Sequence, residues 1–151
     1  MCLSLSVSCA QLNLEWNQLG PEGAAALAPA IAVSASLTEL NLFDNKMGED
    51  GGFAIAEALK SNRSLLTVKS NYLGARGAKA MGEALAVNNV LKTLEAPSNG
   101  IDAEGAKAIA EGLFGNASLT SLDLSSNLPY GSSDGPAFAE ALAPSIAASA
   151  S

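Results

Sequence analysis

Hydrophobic and polar residues follow a pattern that returns about every 28 positions along this chain. The segment LTELNLFDN, which begins at Leu37, has apolar residues at its first, fourth and sixth positions, polar residues at the third and fifth, and asparagine at the ninth. Alternation of this kind is typical of a short β-strand with one buried face. Comparable segments lie 28, 28, 26 and 28 residues apart and begin at Cys9, Leu37, Leu65, Leu91 and Leu119. Each segment therefore predicts one strand, and positions below are counted from its first residue.

A helical pattern follows each strand segment. Glycine opens it, large apolar residues stand four and eight positions later, as at Ile55 and Leu59 after Gly51, and alanine or glycine fills most of the same face. The period has changed from 2 to 3.6, so each unit is predicted to be one strand and one helix. We expect the helices to begin near Gly23, Gly51, Gly77, Gly105 and Gly135. Because no unit of this size can close a core alone, the units are expected to stack.

Asparagine at position 9 and the glycine after it suggest how the strand turns into the helix. Stacked asparagines can bond turn backbone that has no strand partner, and glycine allows a tight turn. The third unit reaches its asparagine, Asn71, two residues early. Asn62 and Asn116 begin glycosylation sequons, but both fall at a predicted helix end, as does Asn88 outside a sequon. Recurrence of the repeat therefore explains them without a sugar.

On the segments CAQLNLEWN, LTELNLFDN and LTSLDLSSN and the helices GAKAMGEAL and GAKAIAEGL, the chain resembles the leucine-rich repeat family. Its period resembles the ribonuclease-inhibitor-like subtype, which also forms the repeat region of NOD-like receptors and of Ran GTPase-activating proteins. The resemblance covers residues 9–147. It implies an α/β fold, a right-handed solenoid of about five strand–helix units with parallel strands on the concave side and helices on the convex side. Residues 1–8 are interpreted as an N-terminal extension or edge strand, and 148–151 as a frayed tail.

The repeat is thin at position 6, where the third unit has a gap and the fourth has Ala96 in place of leucine. Pro97 follows, and proline cannot donate to a strand ladder. One interpretation is a pocket or a redirected sheet edge that serves a ligand. The other is drift in a tolerant repeat or an error in the gene model. The sequence leaves both open.

Charge and composition narrow the function. The formal net charge is −7, and the eight lysines and arginines are scattered, which argues against nucleic acid and against an anionic membrane surface as partners. There is no histidine and there are only two cysteines, which removes serine–histidine and cysteine–histidine pairs and a four-ligand zinc site. No run approaches the roughly 20 apolar residues of a membrane span. We expect an intracellular, cytoplasmic protein that is not an enzyme and has no cofactor or metal.

The outward positions of the strands supply the candidate site. Trp16 and Phe43 are aromatic residues on an otherwise polar face, and Glu15, Glu39 and Asp44 flank them. Aromatic residues are good interface anchors, and the acids would favour a basic partner. The simpler interpretation is that each aromatic residue packs over the edge between strand and turn. In the C-terminal half, serine and threonine occupy the corresponding places.

From the family resemblance, the sequence predicts an interaction scaffold that binds an unknown protein on its concave face. One alternative is a regulator that stimulates a GTPase, as the Ran-type resemblance allows. Another is a fragment of a longer repeat array of the NOD-like-receptor type.

Overall fold

The computed structural model describes residues 9–70, 72–129 and 131–148, and the five predicted strand–helix units are present in these segments. The strands are β1 (Gln11–Asn13), β2 (Glu39–Asn41), β3 (Thr67–Lys69), β4 (Thr93–Glu95) and β5 (Ser121–Asp123). The helices are α1 (Gly20–Val33), α2 (Gly48–Ser61), α3 (Gly74–Val87), α4 (Ala103–Leu113) and α5 (Gly135–Ala148). The predicted α/β solenoid is confirmed. The predicted extension at 1–8, Asn71, and residues 149–151 of the predicted tail lie outside the described residues.

The strands form one parallel sheet in chain order, and its register confirms which residues face the core. Position 4 of each unit aligns with position 4 of the next. Because neighbouring side chains in a strand point to opposite faces, positions 3 and 5 then point outward. The central position-4 residues Leu40, Val68 and Leu94 are fully buried, while Leu12 and Leu122 in the outer strands are half-buried.

Four helices begin earlier than predicted. They start two or three residues before the glycines expected from the sequence, and only α5 starts at its expected residue, Gly135. For α1 and α4, a start signal in the sequence marks the observed boundary. Pro21 lies in the first turn of α1, where a missing N–H costs nothing, and Asp102 caps α4 by accepting a hydrogen bond from the Gly105 N–H at 2.8 Å.

The repeat glycine therefore has a different function from the one predicted. A Cβ on Gly51 would lie 2.7 Å from the Cβ of Met47 and 3.0 Å from the Cβ of Ala24 on α1, distances too short for real side chains. This glycine permits close packing inside the first turn and against the neighbouring helix. The left-handed backbone that favours glycine lies three residues earlier, with φ of +64°, +64° and +61° at Gly20, Gly48 and Gly74.

The position-9 asparagines bind turn backbone, as predicted, and they connect neighbouring units. The Asn45 side-chain amide donates to the Leu14 carbonyl of the preceding unit at 2.8 Å and to Leu42 of its own unit at 3.1 Å. Its oxygen accepts the N–H groups of Asn17 at 3.1 Å and Leu19 at 3.4 Å. Asn45 is fully buried, so these bonds satisfy its own side-chain amide, which water cannot reach.

The same arrangement recurs at Asn127 in the fifth unit. Asn127 donates to the Ala96 carbonyl at 2.9 Å and accepts the N–H groups of Asn99 at 2.8 Å and Ile101 at 3.2 Å. In the fifth unit the position equivalent to Ile101 is Pro129, which has no N–H. The fifth unit therefore lacks the backbone N–H that Ile101 supplies in the fourth.

A second series of asparagines satisfies the helix ends. The side-chain amide of each one donates to a carbonyl near the end of the preceding helix, at 2.7 or 2.8 Å, where helices leave carbonyls unpaired. The members are Asn62, Asn88 and Asn116. Asn62 is fully buried, so its amide nitrogen is already engaged in the folded chain. This supports a structural interpretation of its sequon.

The predicted gap at position 6 of the third unit is filled by Ser70. The Ser70 N–H donates to the Glu95 carbonyl at 2.9 Å, just as the Leu42 N–H at position 6 of the second unit donates to the Lys69 carbonyl at 2.9 Å. The two residues that the third unit lacks therefore belong to the turn after position 6. Ser70 and Ala96 are both fully buried, so the core is thin at this level as predicted. Among the described residues, the Ser70 hydroxyl is the buried side-chain oxygen without a hydrogen-bond partner. The pocket interpretation stays a prediction.

We expect Leu40→Ala to lower the free energy of unfolding by about 2–5 kcal/mol, because it empties a fully buried leucine site. Its matched control is Thr38→Ala, which removes one exposed hydrogen bond, from the Thr38 hydroxyl to the Ala10 carbonyl at 2.9 Å, and is expected to cost about 1 kcal/mol or less. Denaturant unfolding followed by circular dichroism measures both. Equal midpoints would show that position 4 has been assigned to the wrong face.

Asn45→Ala is expected to lower the unfolding free energy by about 3 kcal/mol, because it leaves N–H and carbonyl groups in the turns of two units without their hydrogen-bond partner. Asn17→Ala removes the equivalent residue of the first unit, whose exposed side chain donates only to carbonyls of its own unit, and is expected to cost about 1 kcal/mol or less. The same denaturation experiment compares them. If Asn17→Ala were as damaging as Asn45→Ala, the bonds between units would not explain the effect.

Candidate protein-binding surface

The outward side chains form two adjoining regions, which we name the strand face and the rim. The strand face consists of positions 3 and 5 of the five strands, and the rim consists of positions 7 and 8, where the chain turns towards the helix. Glu39 lies on the strand face. Glu15, Trp16, Phe43 and Asp44 lie on the rim of the first two units. The structure therefore brings the five predicted site residues onto two neighbouring units.

Trp16 and Phe43 form an aromatic pair at the rim. Their ring centroids are 6.2 Å apart and their planes meet at 68°, an edge-to-face arrangement that aromatic rings favour. The Trp16 N–H donates to the Phe43 carbonyl at 3.1 Å, so the backbone also connects the two residues. Trp16 is 67% exposed, whereas Phe43 is half-buried. The edge-packing interpretation thus describes Phe43 in part, while most of the Trp16 side chain is open to solvent.

Glu15 holds the indole of Trp16 in place. One carboxylate oxygen accepts the Trp16 Nε1–H at 2.9 Å, and the other accepts the side-chain amide of Asn41 at 3.2 Å. Asn41 in turn accepts the Phe43 N–H at 3.0 Å. The aromatic pair is therefore fixed by hydrogen bonds that cross from the first unit to the second. Sequence reasoning missed Asn41, although its place at position 5 of the neighbouring strand was a usable signal.

The two remaining acids are held less firmly. Glu39 accepts the side-chain amide of Gln11 at 3.0 Å across β1 and β2. Asp44 is half-buried and has a left-handed backbone, with φ of +49°. Similar values of +61°, +55° and +57° occur at the other position-8 residues Trp16, Ser98 and Ser126. The conformation of Asp44 therefore belongs to the repeated turn and is not a local strain at the site.

Acidic residues extend further along the strand face than the sequence comparison of the two halves implied. Glu95 lies at position 5 of β4 and pairs with Lys69 at 3.0 Å. Asp123 accepts the backbone N–H of Ser125 at 2.9 Å, and that bond, with the Ser125 hydroxyl, holds the pKa of Asp123 below its usual value. Charge alone does not distinguish the N-terminal half. The aromatic pair does.

The described residues offer neither a metal site nor a membrane-spanning helix. Across residues 9–70, 72–129 and 131–148, no three cysteine, histidine or acidic side chains lie close enough together to hold a metal ion. In the same segments, none of the helices has the length and apolarity needed to span a bilayer.

Comparison with known proteins gives a family match by sequence. A family model described as a leucine-rich repeat matches four stretches of the chain, which together make up just over half of it. The stretches are residues 11–28, 33–56, 87–110 and 115–127. No curated protein sequence matches the chain significantly.

Solved structures match the whole architecture. The structure of Leiomodin-1 Actin-Binding Site 2 superposes with a TM-score of 0.68 at 21% sequence identity, and the match covers 93% of this chain and 83% of that one. The C-terminal domain of a tropomodulin from Caenorhabditis elegans gives a TM-score of 0.67 at 15% identity and covers 91% of this chain and 84% of that one. At these identities the likeness concerns the fold alone.

Proposed function

The chain belongs to the leucine-rich repeat family, whose domains generally mediate protein–protein interaction, and we propose that it is a scaffold that binds a partner protein on its concave strand face. The partner docks towards the N-terminal half of that face and its rim. The residues proposed to contact it are Glu15, Trp16, Glu39, Phe43 and Asp44. The observation that carries the proposal is the exposed Trp16, held in one orientation by Phe43 and Glu15.

A fixed, exposed tryptophan is well suited to be an interface anchor. Its large ring can bury much apolar surface, and Trp is enriched among the residues that dominate binding energy. Because the ring is already oriented by Glu15 and Phe43, little further side-chain freedom is lost when a partner covers it. Asn41 stabilises the same arrangement from the second unit. The side chains of the site are thus preorganised for binding in the free chain.

The charges near the aromatic pair favour a basic partner segment. Glu15 and Asp44 lie beside the pair on the rim, Glu39 lies on the adjoining strand face, and the formal net charge of the whole chain is −7. Acidic surfaces of this kind raise the association rate of basic proteins and disfavour acidic ones. The nearest cation on the strand face of the described residues, Lys69, is already paired with Glu95. The proposed role is one of binding, without catalysis, in an intracellular protein.

The finer family assignment is part of this proposal. The 28-residue spacing and the full helix in each unit support the ribonuclease-inhibitor-like subtype. Leiomodin-1 makes actin a concrete partner to test, because the part of that protein whose structure matches is an actin-binding site. No observed geometry favours the Ran-type regulator over a simple scaffold, so that alternative stays a prediction.

Replacing both aromatic residues is expected to abolish most of the affinity without unfolding the chain. In the variant Trp16→Ala/Phe43→Ala, binding should weaken at least about tenfold, which corresponds to about 1.4 kcal/mol. Isothermal calorimetry with actin, and with each protein recovered by affinity purification, measures the change. Val87→Ala, which truncates an exposed apolar residue at the end of α3, is the matched control and should leave the affinity unchanged.

A second readout uses the fact that Trp16 is the only tryptophan of the chain. A partner that covers Trp16 should reduce the quenching of its fluorescence by acrylamide. Raising the salt concentration should slow association, because exposed charges are screened beyond roughly 8–10 Å. Unchanged affinity in the double variant, with an intact circular dichroism spectrum, would place the binding site elsewhere.

A further inference from the structure

A groove of about 770 Å³ lies between α4 and α5, on the side of the molecule formed by the helices. Small and apolar side chains of both helices make up most of its lining. The apolar members are Ala103, Ala110, Phe114, Ala137, Ala141 and Pro144. Phe114 is 70% exposed, more than any other aromatic residue in the described part of the chain. The groove is thus an apolar surface that is open to solvent in the single chain.

Helix α5 approaches α4 without the glycine contacts that join α4 to α3. A Cβ on Gly82 would lie 2.1 Å from the Ala108 carbonyl oxygen, and one on Gly112 would lie 2.0 Å from the Gly82 carbonyl oxygen, so α3 and α4 touch through their backbones. In α5 the residue that aligns with Gly112 is Ala141, and a Cβ on Gly135 would meet nothing within 4 Å. The close approach through glycine is absent from this last pair.

Phe114 breaks the repeat at the edge of this groove. Counted back from the asparagine or serine at the helix end, its equivalents in the first three units are Ala32, Lys60 and Ala86. The large aromatic side chain is therefore specific to the unit that borders the groove. Burial of such a residue against a partner is a common source of binding energy.

The edge of the groove is acidic. Three glutamates and one cation line it, namely Glu104, Glu111 and Lys107 of α4 and Glu140 of α5. The cations Arg76 and Lys79 of α3 line the next groove, on the other side of α4. Lys107 lies 3.9 Å from Glu111, and both side chains are about two-thirds exposed, so this ion pair is weak. A second copy of the chain, with its formal net charge of −7, would be repelled by these glutamates. A basic segment would be attracted to it.

We propose that the groove between α4 and α5 is a second docking surface, which takes an amphipathic helix with basic flanks from a partner protein. The apolar ridge of that helix packs on the alanines and on Phe114, and the floor of small side chains allows the close approach typical of helix packing. Lysine or arginine residues beside the ridge face the three glutamates. The surface is separate from the strand face, so the inference does not rest on the function proposed above.

The test uses the full chain and a synthetic helical peptide of about 14 residues with leucine on one face and lysine on the flanks. A second peptide has glutamate in place of every lysine. Calorimetry should show that the lysine peptide binds at least about tenfold more tightly than the glutamate peptide. Phe114→Asp should weaken binding of the lysine peptide at least about tenfold. The matched control is Val33→Asp, an exposed apolar residue at the end of α1, which should leave binding unchanged.

Four results would overturn the proposal. The two peptides could bind equally, or Phe114→Asp could leave the affinity unchanged while thermal unfolding shows a native fold. Sedimentation could instead show a dimer that Phe114→Asp dissociates, which would assign the groove to a second copy. The variant Trp16→Ala/Phe43→Ala distinguishes the two surfaces, because it should not affect the lysine peptide. Loss of peptide binding in that variant would also contradict the proposal.

Discussion

The structure depends on how the backbone of its turns is satisfied. Each strand has only three residues, so the sheet ladder pairs few groups, and the chain then turns inward through buried backbone. A buried asparagine of the following unit supplies the missing donor and acceptor, as Asn45 does for the first unit and Asn127 for the fourth. In the described residues, Asn45, Asn99 and Asn127 therefore complete the turns of the first, third and fourth units. These bonds between units agree with the general behaviour of repeat proteins, in which each unit is stabilised by its contacts with its neighbours.

The same constraint creates the candidate site. Asn45 joins the turn of the first unit to that of the second, so equivalent positions of these two units lie side by side, and the left-handed position 8 occurs in both, at Trp16 and Asp44. Trp16 of the first unit thereby meets Phe43 of the second, and Glu15 meets Asn41. A surface made of single residues far apart in sequence becomes one patch. The binding properties of such a chain therefore depend on which side chains occupy the outward positions of its units.

Sequence reasoning predicted the elements that depend on periodicity and missed those that depend on contact between units. The core leucine Leu40 and the outward acid Glu39 follow from alternation alone. The helix starts were misplaced because glycine at a repeat position permits either a turn or close packing, and only the contact of Gly51 with Ala24 decides between them. Position 6 of the third unit, which Ser70 fills, was predicted to be a gap because one short unit gives no internal sign of which residues are missing. The groove beside Phe114 could not be predicted because it depends on the spacing between α4 and α5.

Native-state hydrogen exchange tests the central claim most directly. The N–H groups of Leu73 and Ile101 lie in turns, and their hydrogen bonds run to the side chains of Asn99 and Asn127 in the following units. If the asparagines hold the stack together, these turn amides should be protected as strongly as the sheet amide of Ala96, because exposing them requires neighbouring units to separate. Exchange as fast as that of an exposed loop amide such as Ser133 would contradict the account.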